Sequence, residues 1–174
     1  MNNEYEIRGD VAAIFLRRRD GSTIETLIDT RDLPRVQEFP NAWCACWHED
    51  IKNFYVEGTI TRNGKSKHYG LHRWLTKPLS NLVVDHRNHN TLDNRMDNLR
   101  VVTEAQNNQN YNGLCKANKS GYRGVYWQKK MQKWRAHIMI DRKQMHLGYF
   151  TDRDEAGRVA LEARKRLMPF AVFN

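Results

Sequence analysis

Short alternating runs dominate the first part of this chain. "VAAIFL" and "TIETLI" set apolar and β-branched residues on either side of "RRRDGS" with its Asp-Gly turn, which predicts a β-hairpin. "AWCACW" and "FYVEGTIT" predict further strands, and Asn63-Gly64 is a strong two-residue turn leading into "KSKHYGL". Together these segments predict a small antiparallel sheet over residues 5 to 70. From Leu71 the pattern changes, and "LHRWLTKPL" predicts a short helix that Pro78 closes. A strand at Leu82-Val83-Val84 follows, then an Asn-rich loop from about His86 to Asp97 and a second strand at Leu99 to Val102. Thr103 and Gln106 have the capping-box spacing, so a helix is expected from there to about Tyr111.

"NGLCKANKSG" is polar and turn-rich and reads as a linker over residues 113–120. Beyond it, "YRGVYWQ", "KWRAHIMI" and "QMHLGYF" are three alternating segments of strand type. In "TDRDEAGRVALEARKRL", Ala156, Val159, Ala160, Ala163 and Leu167 recur at helical spacing, while Arg158, Arg164, Lys165 and Arg166 are expected to face elsewhere. Asp152 with Glu155, or Thr151 with Asp154, offers the start signal. The fold class is therefore α+β: an N-terminal antiparallel region over 1–70, a hairpin-and-helix core over 71–112, and a three-stranded sheet with one helix over 121–174.

Composition narrows the classes of function. Aromatic residues make up 10% and charged residues 28% of the 174, which argues for a folded chain and against wholesale disorder. No apolar run approaches the roughly 20 residues a membrane helix needs, and Met1-Asn2-Asn3-Glu4 lacks the order of a signal peptide, so a cytoplasmic protein with no membrane partner is expected. Cys44, Cys46 and Cys115 cannot make a paired disulfide framework. Cys44, Cys46 and His48 alternate as a soft metal site would, but lack a fourth ligand, so buried thiols on a sheet face are expected. The net charge of +9 is unevenly placed: residues 1–112 hold 15 Lys and Arg against 15 Asp and Glu, whereas residues 113–174 hold 14 against 5. A basic module beside a neutral one points to a polyanion partner. Arg17, Arg18 and Arg19 at a hairpin tip are either a solvated turn or phosphate contacts.

The candidate chemistry lies in "VVDHRNHNTLDNRMDNLRVVTEAQNNQN", residues 83–110. Asp85 and His86 end one strand on opposite sides, Asn98 enters its partner, and Asn107 sits one turn into the helix. A carboxylate and an amide oxygen suit a hard ion such as Mg²⁺ or Mn²⁺, and a neutral imidazole can accept a proton from water near pH 7. Asp85-His86, eleven residues, Asn98, eight residues, Asn107, with "LHRWL" upstream and "DNLRVVT" between, resembles the HNH nuclease motif, closely so that of phage and intron homing endonucleases. The resemblance implies a hairpin-helix metal fold with Asp85 and Asn107 on the metal, His86 activating water, and Asn98 orienting that histidine. Many relatives have a histidine where Asn107 stands, which favours Mg²⁺ or Mn²⁺ here over Zn²⁺ or Ni²⁺. Asn108 and Asn110 are alternatives to Asn107 in another helix register. His72 is expected to pack in the supporting helix, and His89 with the residues from Asn88 to Asn94 to shape the loop.

The tail resembles the plant APETALA2-type DNA-binding domain, through "YRGVYW", "KWRAHI", "HLGYF" and the alanine-bearing helix after "TDRDEA". That resemblance implies a sheet laid in the major groove of double-stranded DNA with the helix behind it. Strand alternation puts Trp134, Ala136, Ile138 and Ile140 on the core face and Arg135, His137 and Met139 on the other. Arg135 can present paired donors to guanine or phosphate, with Tyr126, Gln128, Gln144, His137 and His146 as neighbours, and Arg123 matches the family's backbone-contacting arginine. Tyr126, His137, Met139 and His146 depart from the plant pattern, so the plant target does not carry over. The reading is a site-preferring, metal-dependent DNA endonuclease of the mobile phage or intron type. One catalytic hairpin suggests a monomer that nicks one strand, while a dimer would cut two. The alternative is a DNA-binding regulator with an inactive finger, and RNA binding has less support because the sheet lacks the aromatic signature of single-strand RNA modules.

Overall fold

The computed structural model describes residues 1–111 and 113–173. The expected boundaries at Asn112 and Asn174 lie outside the described residues. The chain divides into two compact units, Met1–Thr103 and Glu104–Asn174. It is α+β, built from several small antiparallel sheets and few helices. Among the described residues, no helix is long and apolar enough to cross a membrane.

In the first unit, β1 (Tyr5–Arg8), β2 (Val11–Arg17) and β3 (Thr23–Asp29) form one three-stranded sheet, and the expected hairpin is β2–β3. A second sheet joins β4 (Cys44–His48), β5 (Asn53–Arg62) and β6 (Lys65–Gly70). The single sheet expected over 5 to 70 is thus two. The break is α1 (Leu33–Gln37), where Pro34 enters the first helical turn and Leu33 and Val36 turn one apolar edge inward. β5–β6 turns at Asn63 and Gly64 with φ of 50° and 73°, the two positive values a tight hairpin requires. The core gathers Ile14, Leu16, Ile28, Val36, Phe39, Trp43, Val56, Leu71 and Leu75 from both sheets, the helices and the segments between them. Phe39 stacks on Trp43 at 4.1 Å and meets Trp74 edge-on at 5.3 Å.

α2 (Leu71–Thr76) ends with Lys77 in the left-handed region at φ 45°, just before Pro78. Leu71 and Leu75, one turn apart, pin it to the core. Next come β7 (Val83–His86) and β8 (Leu99–Val102), paired so that Asp85 faces Arg100 and His86 faces Leu99. β4 is a sheet edge. Ala45 turns toward the core, whereas Cys44 is exposed and Cys46 half-buried. The expected burial of those thiols is corrected by strand register, which puts them with Glu57 and Tyr55 on the outer face.

The second unit begins with α3 (Glu104–Asn110) and contains β9 (Val125–Gln128), β10 (Lys133–Ile140), β11 (Lys143–Phe150) and α4 (Arg153–Leu167). The sheet order is β11-β10-β9, with a register shift between Ala136 and His137. Asp152 caps α4 by accepting a hydrogen bond from the Glu155 amide at 2.6 Å. Ala156, Ala160 and Ala163 let the helix lie close on Val125, Ala136 and Ile138. Arg164, expected to face away, is buried, because it follows Ala156 and Ala160 on the same stripe. The expected linker is locally ordered at its end, where buried Ser120 accepts from the Tyr122 amide and donates to the Val125 carbonyl at 2.8 Å.

Gly124 holds the entry to this sheet at φ 81°, and a Cβ there would stand 2.2 Å from the His137 carbonyl oxygen. Gly124→Ala should therefore destabilise the protein by about 1–3 kcal/mol, read as a lower denaturant midpoint in chemical unfolding.

Candidate functional site

Asp85 and His86 are both buried at the end of β7. The loop between β7 and β8 is held by its own polar side chains. Asn98 accepts from the Asn88 amide at 2.9 Å and donates to the Asp93 carbonyl at 2.7 Å. Asn88 and Asn90 each accept an amide two residues on, from Asn90 and Leu92. Asp93 pairs with Arg95 at 2.7 Å, which holds its carboxyl below the ordinary range. The loop-shaping expected of the Asn88 to Asn94 stretch takes this form.

The loop is also tied to the N-terminal sheet. The Leu27 amide donates to the Leu92 carbonyl at 2.9 Å, the Asn94 amide to the Leu27 carbonyl at 2.7 Å, and the Met96 amide to Asp29 at 2.7 Å. Thr91 donates to the Phe54 carbonyl of β5. The loop is thereby made an extension of two sheets.

Asn94 is the residue that meets His86. Its Nδ2 donates to the Thr26 hydroxyl at 3.0 Å and to the Thr91 carbonyl at 3.3 Å, so its Oδ1 is turned to His86 Nε2, 3.3 Å away. A carbonyl only accepts, which fixes the amide's orientation and makes Nε2 the protonated ring nitrogen, leaving Nδ1 as the basic one. The task expected of Asn98 falls to Asn94, because Asn98 spends its amide on the loop backbone. No spacing rule in the sequence marks Asn94, whose position depends on Thr26, 68 residues away.

Two rings lie beside His86. Its centroid is 5.4 Å from His72 and 5.9 Å from Tyr55, and Tyr55 lies 5.3 Å from His72. Tyr55 and His72 arrive from β5 and α2. Burial lowers the pKa of His86, against the opposing pull of Asn94 and Asp85, and burial drives His72 down to about 3. Both imidazoles are neutral at pH 7. Burial, with the charge of Asp85, raises the Tyr55 phenol.

Asp85 Oδ2 accepts from both Nε and Nη2 of Arg100, each at 2.7 Å. The antiparallel register across the hairpin sets that pair. Among the described residues no group of three His, Cys, Asp or Glu gathers as a closed metal centre would require. The buried Asp85 carboxylate is, in donor chemistry, a ligand for a hard ion that keeps most of its waters. Asn107 stands half-buried on α3, in the second unit. Asn108 is exposed, and Asn110 is buried with its side-chain oxygen accepting from the Val172 amide.

On the second unit's sheet, Arg135 is braced by three expected neighbours. It donates to the Tyr126 hydroxyl at 2.6 Å, to Gln144 Oε1 at 3.0 Å and toward His146 Nδ1 at 3.4 Å. His137 lies beside Tyr126 at 5.4 Å, half-buried, and burial lowers its pKa. Gln128 ends β9 opposite Lys133. Arg123 is placed differently: its guanidinium donates to the carbonyls of Asn108 and Tyr111, closing the end of α3.

Residues 77–109 match the family model described as HNH endonuclease, a span that contains Asp85, His86, Asn98 and Asn107. The chain is also similar to Protein 3.8 of Escherichia phage T7, 34% identical over 83 residues, which are 48% of this chain and 65% of that protein. The chain thus spans just under two thirds of that relative's length. No solved structure matches.

The buried histidines bear on acid stability. Above pH 6.5 His72 is neutral folded and unfolded, while between 6.5 and about 3 only the unfolded chain takes the proton. Stability is therefore full above this window and lost as pH falls through it, at up to about 1.4 kcal/mol per pH unit. Urea unfolding across that range should show a shallower acid slope for His72→Gln than for the wild type.

Proposed function

We propose that this protein is a site-preferring DNA endonuclease of the HNH type, acting on double-stranded DNA in a cytoplasm as a mobile phage or intron enzyme. The observation that carries this reading is the Asn94-oriented, neutral His86 beside Asp85, inside the segment that matches the HNH family model. In this reading His86 accepts the proton of an attacking water at Nδ1. Burial favours its neutral form, and Asn94 keeps the other nitrogen protonated. Asn98 acts through the loop, holding the backbone that presents His86. The HNH resemblance assigns Asp85 and Asn107 to a Mg²⁺ or Mn²⁺ ion, which would supply charge neutralisation at the phosphate when bound. Arg100 restrains the Asp85 carboxylate in place.

The second unit supplies the address. Its three-stranded sheet, in the manner of an APETALA2-type domain, presents Arg135 to guanine or phosphate. Tyr126, Gln144 and His146 keep that guanidinium upright, and Gln128 and His137 flank it. One hairpin per chain makes the enzyme a monomer that nicks. Arg123 organises the end of α3 in this scheme.

The regulator reading draws on one observation, that Arg100 already engages the Asp85 carboxylate twice. Supercoiled plasmid separates the two. With Mg²⁺ or Mn²⁺ the wild type should convert it to the nicked form and His86→Ala should lose at least about 100-fold in rate. Because the pKa of His86 is lowered, wild-type cleavage should persist below pH 6.5 instead of falling there. Plasmid left equally intact by both proteins with either ion would favour the regulator.

Arg135→Ala should weaken binding to the preferred site by about 1–3 kcal/mol and relax base choice at the position it reads. Titration of site-bearing and scrambled duplexes in EDTA measures this without cleavage.

A further inference from the structure

Arg164 is the least expected residue of the second unit. It is 9% exposed, yet among the described residues its Nε and Nη2 have no hydrogen-bond acceptor. The Phe173 ring lies 5.1 Å from its guanidinium carbon. An aromatic face satisfies a guanidinium's π surface but cannot accept from the N–H groups at its rim. Its charged neighbour is Arg123, so burial and like charge together hold Arg164 below its ordinary pKa. A buried cation without an acceptor is costly, and natural structures rarely keep one without a partner.

A second orphaned group lies nearby. His137 Nδ1 is buried and has no hydrogen-bond partner among the described residues. Arg123, His137 and Arg164 line one cavity of about 110 Å³, together with Gly124, Ile138 and Met168. Arg164 also borders a cavity of about 260 Å³ with Tyr122, Arg123 and Leu161. Neither cavity has an Asp or Glu in its wall. The acids nearest in sequence are engaged elsewhere: Glu162 with Arg158, Asp154 with Arg153, and Asp152 on the start of α4. The space holds far more than the roughly 15 Å³ a single water needs.

We infer that Arg164, with Arg123 and the Nδ1 edge of His137, forms a binding site for a phosphate oxyanion. The donors come from α4, from β10 and from the turn before β9. They belong to three separate elements lining one cavity, and a tetrahedral anion offers acceptor oxygens to several such donors. The guanidinium fork of Arg164 matches two phosphate oxygens, and His137 donates in the tautomer that carries its proton on Nδ1. Arg123 contributes charge, since its own terminal nitrogens serve the α3 carbonyls. The anion comes either from free phosphate or from a nucleic-acid backbone.

The test uses the full chain. Inorganic phosphate is titrated by calorimetry into protein dialysed against chloride at matched ionic strength, with and without a saturating short duplex. Wild type should give a saturable heat, and Arg164→Met should lose about tenfold or more in affinity, with Arg164→Lys between them. Arg164→Met should unfold in chloride at the wild-type temperature or above it, since an unpaired buried charge is gone, which separates loss of the site from loss of the fold. If duplex abolishes the phosphate heat, a backbone phosphate shares the site, and if the heat survives, the ligand is the free anion. No saturable heat from wild type, together with equal duplex affinity for wild type and Arg164→Met, overturns the inference.

Discussion

One side-chain amide joins the halves of the first unit that matter most. Asn94 is buried between Thr26 of β3 and His86 of β7, and each of its polar atoms is committed. Removing such a group leaves two or three buried partners unsatisfied, at about 1–3 kcal/mol each. The larger effect is on orientation. With Nδ2 fixed by a hydroxyl and a carbonyl, Oδ1 can meet only a donor, so the protonation of the His86 ring is decided by a strand 60 residues earlier. The N-terminal sheets are therefore part of the site's chemistry, since β3 supplies the reference against which the imidazole is set and β5 supplies Tyr55 and the Thr91 anchor.

This constraint explains which parts of the site were legible in the chain. Asp85, His86, Asn98 and Asn107 announce themselves because hairpin and helix impose fixed spacings, and because polar residues between valine runs need a reason. Asn94 and Tyr55 obey no such spacing. Their roles come from contacts across 68 and 31 positions, which only tertiary structure specifies. Arg100 falls between: the register of a short hairpin puts it opposite Asp85, and a carboxylate facing an arginine across two strands is readable once the turn length is known. The strands themselves were legible from alternation, and the turn at Asn63-Gly64 from its residue types. The division of the N-terminal region into two sheets was not, since α1 is only five residues long and its apolar pair, Leu33 and Val36, gives too little period to read.

The second unit shows the same contrast between local and distant information. Alternation separated the two faces of β10 correctly enough to bring Arg135, Tyr126, Gln144 and His146 together, because paired strands put neighbours opposite neighbours. Helical spacing did not place Arg164, which is buried. Arginine is read as exposed by default, yet a long stem lets its head reach inward as easily as outward. Arg123 reaches the carbonyls at the end of α3, where the helix dipole concentrates negative charge. That use is structural, and nothing in the spacing of the chain announces it.

The charge imbalance then takes on a more specific meaning. Fourteen cations against five acids in residues 113–174 looks like a uniform electrostatic field, but the cations divide by environment. Arg135 is braced by neutral acceptors, and among the described residues no carboxylate pairs with it. Arg153 and Arg158 are paired with acids on α4 and contribute little beyond the surface. Arg164 is buried among apolar side chains and another arginine. Deleting the exposed cations should therefore change the salt dependence of binding, which counts phosphates neutralised at the surface, whereas a buried cation acts through the geometry of one enclosed contact. Net charge alone treats these residues as equal, and their surroundings show that they are not.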